Sequence, residues 1–136
     1  MLHRSPVARR LSLVLRLIGM FVRRDLLVVE VHGTSMSPAL TPGDRLFCSR
    51  RSPISVGAIV IRAAGGETPG YHIKRLAALP GSYVNGRLIP AGYCWIEGDN
   101  KATSADSRQL GPIPVAELVA VAVGRLCREG LVDVTV

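Results

Sequence analysis

Three stretches of this chain carry residue types that could do chemistry together, and a serine stands at the centre of the first. Val31 to Asp44, VHGTSMSPALTPGD, gathers small, polar and turn-forming residues around Ser35. Ser35 lies between Thr34 and Met36, with Gly33 and Pro38 close by, where the backbone must turn sharply. Such a turn exposes a side chain and leaves backbone N–H groups beside it, two features that a nucleophilic serine needs. The same composition also describes an ordinary Gly/Pro-rich turn. The difference lies in whether a base is available, because a hydroxyl attacks poorly until one takes its proton.

Histidine and lysine are the two options for that base. His32 is three residues before Ser35 and points elsewhere, and His72 lies in a strand pattern. The chain has no Gly-x-Ser-x-Gly elbow, and no Asp is obviously placed to orient either ring, so a Ser–His–Asp triad stays open but unsupported. Only two lysines occur, Lys74 and Lys101, against 15 arginines, and an arginine does not lose its proton in a protein. Lys74 falls in the strand-like run YHIKRLAALPG with Ile73, Leu76 and Leu79 as company. An ammonium buried among such residues loses hydration, and its pKa falls by up to about 3–5 units from roughly 10.4. A neutral amine near pH 7–8 can then act as a general base. The plainer alternative is a solvated strand lysine.

The third stretch, GYCWIEGDNKATSADSRQLGP, covers residues 92–112. It begins as a strand, turns at Gly98-Asp99-Asn100 and ends in a polar loop. Ser104, Asp106, Ser107 and Arg108 set hydroxyls, a carboxylate and a guanidinium within five positions. Such a cluster can hold another residue's proton-accepting group in place, or it can be a solvated loop with a surface Asp–Arg pair.

Taken together, SMSPALTPGD, IKRLAALPG and GDNKATSADSRQLG resemble, in order, the motifs of the type I signal peptidase family, the Ser–Lys endopeptidases. The resemblance covers about residues 27–126. It implies Ser35 as nucleophile, its backbone N–H as part of the oxyanion hole, and Lys74 as general base. It implies Ser104 as the group that orients the Lys74 amine, and Asp106 paired with Arg108 to brace the loop, with Arg75 and Asp99 nearby. Met36 and Pro38 would shape the turn and the cleft. Many bacterial members have a serine two residues before the nucleophile as a second oxyanion donor. Gly33 stands there in this chain, which leaves Thr34, backbone or water for that task. Between LPG and GDN lie only 16 residues, 82–97, so the chain is similar to the compact organellar inner-membrane peptidases and small bacterial maturation proteases.

The elements that must position these groups follow from the rest of the chain. With 136 residues, the chain suits one domain, divided into a basic segment, 1–25, and a catalytic domain, 26–136. The core must be mostly aliphatic, since 48% of residues are hydrophobic and only 4% aromatic. From Leu26 onward, short apolar runs recur between turn signals, the texture of strands: Leu26–Val31, Arg45–Cys48, Ala58–Arg62, Tyr71–Leu79, Tyr83–Ile89, Tyr93–Glu97, Val119–Leu126 and Leu131–Val136. Asn85-Gly86 signals a hairpin, Gly65-Gly66 to Pro69-Gly70 a loop, and Pro112 to Glu117 one helical turn. The expected fold is therefore mainly β, a single antiparallel domain, which the resemblance assigns to the signal peptidase and SOS-repressor-protease type.

The N-terminal segment reads differently. Leu11 to Val22, LSLVLRLIGMFV, is apolar except for Ser12, Arg16 and Gly19. It is shorter than the roughly 20 residues a spanning helix needs. On a helical wheel, Arg9, Ser12, Arg16 and Arg23 share one side and Leu11, Val14, Leu15, Ile18 and Val22 the other, with Leu13 and Met20 intruding on the polar side. This suits an interfacial amphipathic helix or a weak membrane anchor; the alternative is a helix packed on its own domain. Arginines on both flanks make the positive-inside rule nearly silent. An inner or cytoplasmic membrane location, with the catalytic domain on the extracytoplasmic side, is implied by the resemblance alone.

The formal charge of +7 favours an anionic membrane surface here, because no nucleic-acid motif is present and few aromatics are available for stacking. Cys48, Cys94 and Cys127 are far apart and have no metal-ligand spacing with His3, His32 or His72. No metal or cofactor is expected, and the thiols read as isolated, with one disulfide as the alternative if the domain lies outside the cytoplasm. The resemblance implies a serine endopeptidase acting on exported or membrane-tethered precursors with small residues at positions −1 and −3 from the cut. Rival readings are a self-cleaving switch with the same dyad, for which only 34 residues precede Ser35, and a non-catalytic membrane-binding relative.

Overall fold

The expected apolar runs pair into antiparallel ladders, and one long strand organises them. A computed structural model describes residues 5–65 and 70–136. His3, and the 66–69 part of the expected loop, lie outside the described residues. Helix α1 (Pro6–Val22) is followed by β1 (Leu26–Glu30), β2 (Arg45–Ser49), β3 (Ile59–Ala64), β4 (Gly70–Ala78), β5 (Tyr83–Val84), β6 (Arg87–Leu88) and β7 (Tyr93–Glu97). The short helix α2 (Ser107–Leu110), β8 (Ile113–Pro114), a 3₁₀ turn at Val115–Glu117, β9 (Leu118–Cys127) and β10 (Gly130–Asp133) complete the chain. The main sheet runs β1-β2-β9-β3-β4-β7-β8, with β10 also on β9, and β5-β6 form a separate hairpin. This is the mainly antiparallel β architecture with an N-terminal helix that was expected.

β9 carries β2 along one side; on its other side β3 pairs with the first half and β10 with the last four residues. Alternation along β3 divides the interior. Ile59 and Ile61 enter a cluster with Val29, Leu46 and Ala122, while Val60 enters a second with Leu76, Cys94 and Ile96. The register Val60↔Lys74 then sets Lys74 opposite a fully buried valine. Asn85 and Gly86 both have positive φ, 50° and 76°, which matches the twist of a two-residue hairpin.

α1 starts earlier than its apolar run. Ser5 caps it by accepting the Ala8 N–H at 3.2 Å, and Pro6 occupies the first turn, where its missing N–H costs nothing. The helix packs on the domain through the two residues that looked out of place: Leu13 and Met20 are each 2% exposed. Leu13 sits with Leu131 over Gly124 of β9, and Arg16 donates to the Thr135 hydroxyl at 3.1 Å. The main apolar face, Val7, Leu11, Val14, Leu15, Ile18, Phe21 and Val22, stays exposed. Among the described residues, no helix is long and apolar enough to cross a membrane.

Candidate active site

Ser35 belongs to the loop between β1 and β2, and that loop is fixed from beneath and at its base. Met36 and Leu40, 2% and 1% exposed, drop into the core, and the Leu40 N–H bonds the Met36 carbonyl at 2.9 Å. The base is pinched by Val31 N–H to the Asp44 carbonyl and Gly43 N–H to the Val31 carbonyl, both 2.8 Å. Asp44 is tied in turn to Arg125 of β9 at 2.7 Å. Gly33 has φ +70°, a left-handed conformation that side chains resist. Pro38 is exposed at the loop's outer end. Ser35 itself is half-buried, and its carbonyl accepts the Asn100 N–H at 2.8 Å. The exposed Thr34 donates its hydroxyl to Thr103 at 3.3 Å.

Lys74, in the middle of β4, is 6% exposed. Its Nζ donates to Ser104 Oγ at 2.9 Å, and Ser104 donates to Asp106 Oδ2 at 2.7 Å. Asp106 is 1% exposed and also accepts the Gly98 N–H at 2.7 Å and the Arg108 guanidinium at 2.6 and 2.9 Å. It caps α2, while Gln109 returns a bond to the Asp106 N–H at 2.9 Å. Burial pushes the Asp106 carboxyl up, but Arg108, Gly98 and Ser104 outweigh it and hold the group well below the usual carboxylate range. Burial pushes Lys74 below an ordinary lysine, Asp106 pulls it back up and Arg108 pushes it down again; the net shift is downward.

The next residue on β4 grips the same stretch from the other side. Arg75 makes a two-pronged pair with Asp99, 2.8 Å at each prong, and donates to the Gly57 carbonyl at 2.8 Å. Successive strand residues face opposite ways, so Lys74 and Arg75 hold the 98–104 segment at Ser104 and Asp99. Gly98 lies where these groups converge. A Cβ there would lie 2.5 Å from the Ser104 Cβ and 2.8 Å from the Ser35 carbonyl oxygen, and it would also strike Ser104 Oγ. Only a residue without a side chain fits.

Ser35 and Lys74 line one cleft of about 220 Å³, with Met36, His32 and His72 also on its walls. His32 lies 3.5 Å from the Glu30 carboxylate with its side chain 83% exposed. The cysteines stand apart as free thiols, and burial pushes Cys48 up to about 12 and Cys94 up to about 11. No group of residues that could hold a metal ion occurs among the described residues.

Of the residues singled out from the sequence, Ser35, Met36 and Lys74 line this cleft; Ser104, Asp106 and Arg108 stand behind Lys74, Arg75 and Asp99 line a separate hollow, and Pro38 lies away from the cleft on the loop. Asn100, Thr103, Gln109 and the packing role of Gly98 were not foreseen. Asp106-x-x-Gln109 ahead of Gly111 is a legible capping signal for α2; the Asn100 and Thr103 contacts depend on a distant loop and leave no local trace.

A serine on a clamped turn thus shares its cleft with a buried lysine amine. The family model "Signal peptidase, peptidase S26" matches residues 7–88 and 82–127, and the chain belongs to that family. It is a peptidase of the kind that removes leader segments from precursor polypeptides. Mitochondrial inner membrane protease subunit 1 of Schizosaccharomyces pombe is 32% identical over 73% of this chain and 72% of its own length. The human subunit 1 is 33% identical over 64% of this chain and 61% of its own length. Mitochondrial inner membrane protease subunit 2 of Mus musculus is 33% identical over 74% and 66%. The match thus spans less than two thirds of the human and mouse relatives.

Proposed function

We propose that Ser35 and Lys74 form a catalytic dyad that cleaves leader segments from precursors through an acyl-enzyme. The observation that carries this reading is that Lys74, which lines the same cleft as Ser35, is held from behind by its bond to Ser104. Ser104 gives its own proton to Asp106, so it can only accept from the amine. Once Lys74 is neutral, it donates one N–H to Ser104 and turns its lone pair elsewhere, free to take the Ser35 proton. Ser35 Oγ then attacks the scissile carbonyl. The Ser35 N–H stabilises the developing oxyanion, Lys74 returns the proton to the leaving amine, and water releases the acyl group. Ser104, Asp106, Arg108, Arg75 and Asp99 act as positioning residues. The Thr34 hydroxyl is engaged with Thr103, and rotating away from it would let Thr34 complete the oxyanion hole that Gly33 cannot.

The substrate is an extended precursor segment with small residues at positions −1 and −3, and residues 26–136 are the catalytic unit. The relatives' names support an inner-membrane location. The exposed apolar face of α1 supports attachment along the membrane interface; placing the catalytic unit on the extracytoplasmic side rests on the family resemblance alone. A serine-directed phosphonate tests the reading. It should label Ser35 in a peptide identified by mass spectrometry, and Lys74→Met should lose the label. Labelling elsewhere, or undiminished labelling in Lys74→Met, would overturn the dyad.

A further inference from the structure

A second cavity, of about 400 Å³, lies at the seam between the C-terminal half of α1 and the segment after β2. Arg16, Arg23 and Arg51 line it together with Asp25, Ser49 and Ser52. Asp25 is 5% exposed and holds Arg51 at 2.8 Å and Arg23 at 3.5 Å. The Thr135 hydroxyl holds Arg16 at 3.1 Å. Three guanidinium groups thus face one carboxylate, and among the described residues two positive charges on the cavity wall have no balancing group. Each guanidinium carries five N–H donors, most of which these contacts leave unused. Ser49, also 5% exposed, accepts the N–H groups of Arg51 at 3.3 Å and Ser52 at 3.0 Å. Its own proton is then left to donate.

Converging arginine forks and hydroxyls suit the oxygens of a phosphate. Position says where that phosphate comes from. The exposed apolar residues of α1 fall within an arc of about 120° at about 100° per residue, and Arg16 and Arg23 flank the domain-facing side. A helix lying in the interface sinks its apolar face roughly 5–10 Å into the headgroup and acyl boundary. At about 10–12 Å across, the helix then carries Arg16 and Arg23, on the face away from the apolar arc, at about the level of the phosphates. We propose that this cavity is a phosphate site that seats the headgroup of an anionic phospholipid when α1 lies on the membrane. The proposal rests on the membrane reading of α1 given above and adds a defined site to it.

Flotation of the full-length protein with phosphatidylcholine vesicles, with and without phosphatidylglycerol, tests the proposal. Arg16→Gln should weaken binding to the anionic vesicles roughly five-fold and leave binding to the neutral ones unchanged. The double variant Asp25→Asn with Arg51→Gln keeps the net charge and removes the Arg51 fork; it should still weaken anionic binding, whereas diffuse attraction would leave binding unchanged. Arg45→Gln with Arg128→Gln removes two exposed charges elsewhere and should change little. Equal losses in this control and in Arg16→Gln would indicate diffuse attraction and overturn the site. Should the double variant fail to fold in a thermal melt, Arg16→Gln, an exposed position, decides alone. Wild-type protein that floats equally with both vesicles keeps the membrane reading and overturns the site; protein that floats with neither overturns the membrane reading itself. Titration with inorganic phosphate and with short-chain phosphatidylglycerol, followed by NMR, separates the two sources. Saturable binding of inorganic phosphate without the lipid would overturn the headgroup assignment.

Discussion

Gly98→Ala puts one methyl group where the nucleophile's loop and the lysine's orienting residue meet. Its Cβ would lie 2.5 Å from the Ser104 Cβ and 2.8 Å from the Ser35 carbonyl oxygen, against about 3.5–4.0 Å for ordinary carbon contacts. The neighbours must therefore open by about 1 Å. Neither is a loose chain end: Ser104 is held by Lys74 and Asp106, and the Ser35 carbonyl by Asn100. Displacement of a catalytic group by about 1 Å costs on the order of 100-fold in rate, and overpacking a tight site costs about 1–3 kcal/mol of stability. Turnover of an extended peptide with small residues at −1 and −3 should fall by about that factor, chiefly in kcat, while thermal melting still shows a cooperative fold. Ser104→Ala should lower turnover roughly 10- to 1000-fold on its own. Because both changes act through the same bond to Lys74, the double variant should be little worse than either single one. A folded Gly98→Ala enzyme with near-normal kcat, or losses that multiply in the double variant, would refute the argument.

Arg108→Gln removes a cation that holds Lys74 down and frees more of the Asp106 charge, which holds it up. The acid limb of kcat/KM, where Lys74 loses its proton, should therefore move to higher pH; a limb that stays put or moves lower contradicts this. Lys74→Met should raise the melting temperature at about pH 6, because the folded state disfavours the charged amine and burial depresses its pKa. The sign follows from linkage: the wild type regains stability as pH climbs from the folded pKa toward the ordinary lysine value, so the advantage of Lys74→Met should shrink near pH 10. An equal or lower melting temperature at pH 6 would count against a destabilised ammonium. Deleting residues 1–24 should leave peptide cleavage intact but slow the processing of a membrane-tethered precursor. Carbonate and high-salt fractionation of both forms checks the attachment, and full-length protein that is wholly soluble and without lipid affinity would contradict it.

The strands were legible because apolar runs ended at Gly, Pro and Asn turns, and Asn85-Gly86 marked its hairpin directly. Their order in the sheet was not, since the pairing of β2 and β3 with β9 depends on contacts 56 to 81 residues apart. The helical period of α1 was legible too, but a period gives faces and not the medium each face meets. Leu13 and Met20 looked like flaws in the polar side and are its contact with the domain. The Ser35, Lys74 and Ser104 stretches could be named from their motifs. Their meeting rests on the β4–β7 pairing, Arg75↔Glu97, which brings the 98–104 turn beside β4. In the sequence Gly98 signals only a turn, since crowding by Ser104 and the Ser35 carbonyl exists only once the loops converge.

Lys74→Arg tests the central claim most directly, because it keeps the positive charge and nearly the length of the side chain but supplies no base. Purified Lys74→Arg protein, shown to be folded by its thermal melt, should leave a leader-bearing precursor uncleaved under conditions where the wild type cleaves it to completion. Near-normal processing by that variant would mean that Lys74 does not take the Ser35 proton, and the dyad mechanism would be wrong.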